Sequence, residues 1–120
     1  MNTFSRRIAP HVDAEIAEAR RLEALGAAAA SFARLERAHV LGQASTVHHV
    51  RVHVLMLAWA LRHGVWKEAR GQLLRIVGAA TKTAFGWVPT GNTGGANISP
   101  FKPVPIPPEL QKTIEAAQRG

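Results

Sequence analysis

Five of the six histidines lie between His39 and His63, in the most apolar part of the chain. An imidazole in an apolar segment must find a hydrogen-bond partner, take up a proton or coordinate a metal ion, because an unsatisfied polar ring is costly to bury. The chain has no cysteine, so thiolate ligands are excluded and a metal site must be built mainly from nitrogen or oxygen ligands. The histidine cluster therefore indicates a reversible proton or metal site.

Helical spacing would bring several of these side chains together. His49 and His53 stand at i and i+4, one helical turn apart, the spacing at which two imidazoles can hold one ion. Glu36 and His39 stand at i and i+3 in the preceding segment, where one turn brings an oxygen and a nitrogen to the same ion. The link between the two segments is short, so we expect two antiparallel neighbouring helices. The predicted site is mononuclear, with Glu36, His39, His49 and His53 as metal ligands.

This ligand set suits one transition-metal ion, which would be zinc, iron, copper or nickel. A di-iron site is not expected, because such bundles use two Glu-x-x-His pairs and this sequence has one. Without a metal, Glu36 would instead form a buried ion pair with His39 or Arg75. Acid–base chemistry by His39 or His53 is also compatible with their ordinary pKa, which lies near neutrality. The sequence identifies no substrate, and catalysis by the ion would require an open coordination position.

Five further residues are candidates for auxiliary roles around the ion: Gln43, Met56, Glu68, Gln72 and Arg75. One edge of a predicted helix carries Glu68, Gln72 and Arg75. These residues could orient the imidazoles through hydrogen bonds to the ring nitrogens that do not bind the ion. The softer sulfur of Met56 would favour copper if it bound the ion. Alternatively, Glu68 and Arg75 form a salt bridge on the surface, and Gln72 holds the C-terminal segment.

The spacing of apolar residues predicts four helices before residue 85, at about 10–25, 28–40, 46–63 and 66–80. Pro10 is expected to open the first helix, because proline fits the first helical turn. Gly26 and Gly64 are expected to end the first and third helices. Ser45 or Thr46 is expected to cap the third.

The third predicted helix carries an apolar stripe and an edge with two histidines. The apolar residues with helical spacing are Val47, Val50, Val54, Leu57 and Leu61. We expect this stripe to face the core. His49, His53 and Met56 would then lie along one edge of the helix, and His48 and His63 are expected at its solvated ends.

The two predicted hairpins resemble each other when Gly26 is aligned with Gly64, because Ser31 then matches Ala69 and Leu35 matches Leu73. This pattern resembles a tetratricopeptide repeat, in which small residues lie where helices approach closely and bulky residues follow. The resemblance implies two antiparallel helical hairpins.

From Gly86 the composition changes to glycine, asparagine, proline and threonine, which disfavours helices and interior strands. The apolar residues that remain in this part of the chain predict an ordered segment over 86–107 that wraps over the hairpins. A short helix is predicted over 108–119. The sequence thus predicts a single all-α domain over 1–120, made of helical hairpins over 1–85, this segment and the final helix.

Several sequence blocks recur in a recognisable family. They are Glu36-Arg37-Ala38-His39-Val40-Leu41-Gly42-Gln43, then His49 and His53, Gly71-Gln72, the Gly91 to Asn97 block, and Pro103-Val104-Pro105-Ile106-Pro107. With them the chain resembles, over about residues 27–110, a small bacterial family classified as a domain of unknown function. The resemblance implies no particular activity.

The formal net charge is +7, from 15 lysines and arginines against 8 acidic residues. The basic residues are scattered and match no nucleic-acid-binding spacing, so nucleic acid is not the expected partner. No apolar run is long enough to span a bilayer and no signal peptide is apparent, which predicts a cytoplasmic protein without membrane contact. The alternative to a metal-binding protein is a metal-free interaction module, which would bind a protein partner or form a homodimer.

Overall fold

The computed structural model describes residues 1–84 and 105–120, which form five helices and no strand. The helices are α1 Thr3–Ala24, α2 Ala28–Gly42, α3 Thr46–Arg62, α4 Trp66–Ala84 and α5 Pro108–Arg119. The predicted all-α class is confirmed. The predicted wrapping of 86–107 and the Gly91 to Asn97 block fall almost wholly outside the described residues. None of the described helices combines the length and apolar character needed to cross a membrane.

Helix α1 begins earlier than predicted, so Pro10 lies inside the helix and does not open it. The side-chain oxygen of Asn2 accepts a hydrogen bond of 2.8 Å from the Ser5 N–H and caps the helix. A proline inside a helix costs about 3 kcal/mol. Ile8 and Val12 on either side of Pro10 are fully buried, and each such side chain contributes about 1.5–3 kcal/mol. Their burial offsets the proline penalty.

Two turns of the same construction connect α1 with α2 and α3 with α4. Gly26 and Gly64 have positive φ angles of 80° and 66°. In the first turn the Ala27 N–H bonds to the Leu22 carbonyl at 2.9 Å, and in the second the Val65 N–H bonds in the same way at 2.9 Å. This is the glycine-dependent end of a helix that the sequence predicts. The tetratricopeptide resemblance of the two hairpins stays a prediction.

Helix α3 packs against both α2 and α4, and the face that it buries is not the predicted one. Val47, Val54 and Leu61 are 54%, 47% and 51% exposed. The buried residues of α3 are His48, His49, Val52, His53, Met56, Trp59 and Ala60. Apolar residues occur on both sides of this helix, so their spacing alone does not determine which side faces inward. The side with the larger apolar side chains is buried, and it carries the histidines with it.

The end of α2 lies directly against the start of α3. A Cβ atom at Gly42 would lie 2.7 Å from the Cβ of His48, so only glycine fits this position without a shift. The Nε2–H of His48 donates to the Ser5 carbonyl at 2.9 Å, and the Ser5 hydroxyl donates to the Ser45 hydroxyl at 2.6 Å. These bonds fix the junction between α2 and α3 against the first turn of α1.

We predict that Gly42→Ala destabilises the protein, although alanine is the better helix former. Helix propensity alone would stabilise the variant by about 1 kcal/mol, whereas overpacking a buried contact costs about 1–3 kcal/mol. We expect a net loss of up to about 2 kcal/mol in the free energy of unfolding, measured with urea. Ala30→Gly on the exposed side of α2 calibrates the propensity difference. A stabilised Gly42→Ala variant would contradict the close contact.

Candidate metal centre

Three imidazoles meet between α2 and α3. The ring centre of His39 lies 4.7 Å from that of His49 and 4.7 Å from that of His53, and the last two are 4.9 Å apart. Each histidine offers a nitrogen, and these nitrogens all lie within 4.8 Å of one another. Nitrogens bound to one tetrahedral zinc ion are about 3.3 Å apart. Small side-chain rotations would therefore bring the three imidazoles onto a common ion.

The positions of the three histidines follow from the local sequence. His39 occupies the last turn of α2, and Ser45 caps α3 by accepting a bond from the His48 N–H. The short link between Gly42 and Ser45 reverses the direction of the chain within a few residues. The first turns of α3 therefore lie beside the last turn of α2. His49 and His53, one turn apart, then face His39.

Burial holds at least two of these imidazoles in the neutral form. The side chains of His39, His49 and His53 are only 2%, 6% and 2% exposed. Burial lowers the pKa of His49 to about 3, and the nearby His53 contributes to that shift. Burial lowers the pKa of His53 to about 4 against an opposing hydrogen bond, with help from the positive charge of Arg75. The neutral imidazole is the form that binds a metal ion.

Helix α4 orients His53 through a buried amide. Gln72 is fully buried, its Oε1 lies 2.6 Å from His53 Nδ1, and its Nε2 donates to the Glu68 carboxylate at 2.6 Å. Because the Gln72 amide nitrogen faces Glu68, its oxygen must face His53 and accept a hydrogen bond from Nδ1–H. The hydrogen-bond network therefore leaves Nε2 of His53 to bind an ion.

The remaining candidate residues surround the three histidines without joining the group of close ligand atoms. Among the acidic and histidine side chains of the described residues, that group consists of His39, His49 and His53. Glu36 is half-buried and lies outside it, so its role as an oxygen ligand stays a prediction. Gln43 and Met56 are buried, and their auxiliary roles also stay predictions.

One buried residue of this region was not predicted. His48 was expected at a solvated helix end, but it is 3% exposed and bonded to the Ser5 carbonyl. That interpretation was wrong because its partner lies far away in the sequence, on α1. No local spacing pattern signals such a contact. His48 supports the junction that positions the three histidines, since it lies in the first turn of α3 and its N–H donates to the Ser45 cap.

The comparisons with known proteins place the chain by family alone. No curated protein and no solved structure matches it. One family model, described as "Protein of unknown function (DUF3703)", matches residues 6–114 and so covers the helices that carry the three histidines. The match agrees with the resemblance to a family of unknown function that the sequence blocks indicate. The chain belongs to this DUF3703 family.

Proposed function

We propose that this protein binds one transition-metal ion between α2 and α3, with His39, His49 and His53 as its ligands. The observation that carries the proposal is the buried triangle of imidazoles, whose nitrogens lie within 4.8 Å of one another. His49 and His53 lie one helical turn apart and both face His39, so the three imidazoles form a set of nitrogen donors that suits a tetrahedral ion.

The energetic cost of the arrangement supports a ligand role. Burial disfavours the charged form of His49 and His53 enough to lower both pKa values well below 6.5. Apolar side chains of similar size would avoid the desolvation of three polar rings at the same place. Binding of a metal ion offsets this cost, because metal-binding free energy adds to the free energy of folding.

The donor set narrows the kind of ion. Imidazole nitrogens suit zinc, copper, nickel or iron, whereas magnesium and calcium prefer oxygen ligands. Met56 is fully buried on α3, one turn after His53, and would favour copper if its sulfur reached the ion. The hydrogen bond from His53 to Gln72 gives the ring a fixed orientation for any of these ions.

A metal-free interaction module is the second candidate, and the surface of α4 favours it. Trp66, Leu73 and Leu74 are 69%, 60% and 73% exposed. Large apolar side chains grouped on one helix are typical of surfaces that contact another protein. A second copy of the chain would cover the same residues in a homodimer.

The first test is metal content. We expect protein purified without a histidine tag and incubated with zinc to retain one ion per chain after gel filtration. Metal at about 100 times its Kd would add about 2.7 kcal/mol to the free energy of unfolding. His39→Gln, His49→Gln and His53→Gln should each reduce zinc affinity by more than about 100-fold, since each removes a bound nitrogen.

Matched controls come from histidines outside the cluster. His11→Gln and His63→Gln alter exposed residues and should leave zinc affinity unchanged. Circular dichroism of each variant checks that the helices are retained. Folded wild-type protein that binds no zinc, copper, nickel or iron would contradict the proposal. Self-association of that protein, abolished by Leu74→Lys, would then support the second candidate.

The pH dependence of zinc binding distinguishes a buried site from a surface cluster. A histidine with its ordinary pKa of 6.5 loses about tenfold in metal affinity for each pH unit below that value, because its protonated ring cannot bind. A site made of three such histidines would lose about a thousandfold in metal affinity for each pH unit. Because the pKa values of His49 and His53 are lowered to about 3 and about 4, both rings stay neutral as the pH falls from 6.5 to about 5.

We therefore expect zinc affinity to fall by no more than about tenfold per pH unit over this range. Competition with a chelator of known proton affinity, repeated at each pH, measures the slope. A short peptide with three histidines serves as the solvent-exposed reference. A protein slope as steep as that of the peptide would show that the imidazoles titrate as exposed groups.

Gln72 provides a test that spares the metal ligands. Gln72→Leu removes the acceptor for His53 Nδ1–H, and we expect zinc affinity to fall by about 10–100-fold through loss of orientation. Gln111→Leu is the matched control, because Gln111 donates to Glu115 at 2.9 Å in the same i, i+4 arrangement on α5. Equal zinc affinities for the two folded variants would exclude the orienting role of Gln72.

A further inference from the structure

The proposed metal centre supplies three protein ligands, one fewer than a tetrahedral ion requires. Resting on that proposed function, we propose that the ion takes its fourth ligand from solution and that this ligand is a small anion. Hydroxide, bicarbonate, azide and short carboxylates belong to this chemical class. The centre would then be an exchangeable anion-binding site and not a closed structural one.

The count of available ligands supports an open position. Within the described residues, the close group of ligand atoms comes from His39, His49 and His53. Residues 85–104 contain no histidine, cysteine, aspartate or glutamate, so that segment has none of the side chains that most commonly bind zinc. Glu36 lies outside the close group.

The charge around the centre selects an anion over a neutral ligand. Three neutral imidazoles leave a divalent ion with its full charge, in a place where the ligand side chains are at most 6% exposed. Glu68 carries a negative charge, but its carboxylate bonds to Gln72, on the side of His53 away from the metal-binding nitrogen. Arg75 adds a positive charge that acts on His53, and Glu68 balances that charge only in part, because burial still lowers the pKa of Arg75. An anion bound to the ion reduces this excess of positive charge.

The same position has a chemical consequence at neutral pH. Water bound to a zinc ion with three imidazole ligands has a pKa of about 7. If the ion bound here, this water would release its proton to solvent near neutral pH, and hydroxide would be the anion present when no other competes. Other small anions would displace it. This is the arrangement required for attack by bound hydroxide on a small electrophile.

Cobalt(II) serves as the probe, because its visible absorption responds to its ligands. The full-length protein is loaded with one cobalt ion per chain and titrated with sodium azide, and then with bicarbonate, at constant ionic strength. We expect a saturable change in the d–d bands with one anion bound per ion. Bicarbonate should compete with azide for the same position. Sodium perchlorate at equal ionic strength controls for salt effects.

Two arginines of α4 separate local charge from overall charge. Arg75→Gln removes the positive charge beside His53 and should weaken azide binding by about three- to tenfold. Arg70→Gln removes a positive charge from an exposed position on the same helix and should change azide affinity little. Equal effects of the two substitutions would overturn the electrostatic part of the inference.

The outcomes distinguish this inference from the proposed function. Cobalt that binds tightly with a spectrum unchanged by every anion would show a closed site and overturn the inference, while the metal-binding function stands. If Glu36→Gln then makes the spectrum sensitive to azide, Glu36 is the fourth ligand. Failure to bind cobalt, zinc, copper, nickel or iron at all would instead refute the proposed function and the inference with it.

Discussion

The close contact between the end of α2 and the start of α3 is the constraint on which the rest of the centre depends. Gly42 lacks the Cβ that would collide with His48, and Ser45 begins α3 within a few residues. Ser5 on α1 holds the same point through its carbonyl and its hydroxyl. His39 on α2 and the pair His49 and His53 on α3 thereby become neighbours in space. A longer or looser link would leave His39 without the other two imidazoles.

This constraint explains why α3 buries polar rings while leaving valines and leucines in contact with solvent. Packing of the whole helix determines which face points inward. That face carries Val52, Met56 and Trp59 into the core. His49 and His53 lie on that face and cannot turn outward separately. In the part of the chain that the structure describes, these two rings contact each other and His39, and His53 also bonds to Gln72, which offsets part of the cost of burying them. The core and the candidate site are therefore parts of one packing arrangement.

The sequence predicts most of the local structure because helix ends depend on local signals. Gly26 and Gly64 end their helices as expected, and the Ser45 cap and the His49 to His53 spacing act within one turn. Together with the short link, they make the meeting of three histidines predictable. The orientation of α3, the early start of α1 and the burial of His48 depend on contacts with distant segments. A single helix with apolar residues on both sides contains too little information to determine them.

Helix α4 connects the residues on which the two proposed functions rest. Its inner side carries Gln72 and Glu68, which orient His53, while Leu73 and Leu74 on the same helix are exposed. Adjacent residues on a helix point in different directions but move together, because the backbone is rigid over a few turns. A partner that shifted α4 would therefore alter the hydrogen bond to His53, and metal binding would in turn stabilise the position of α4. By linkage, any such coupling between metal and partner must act equally in both directions.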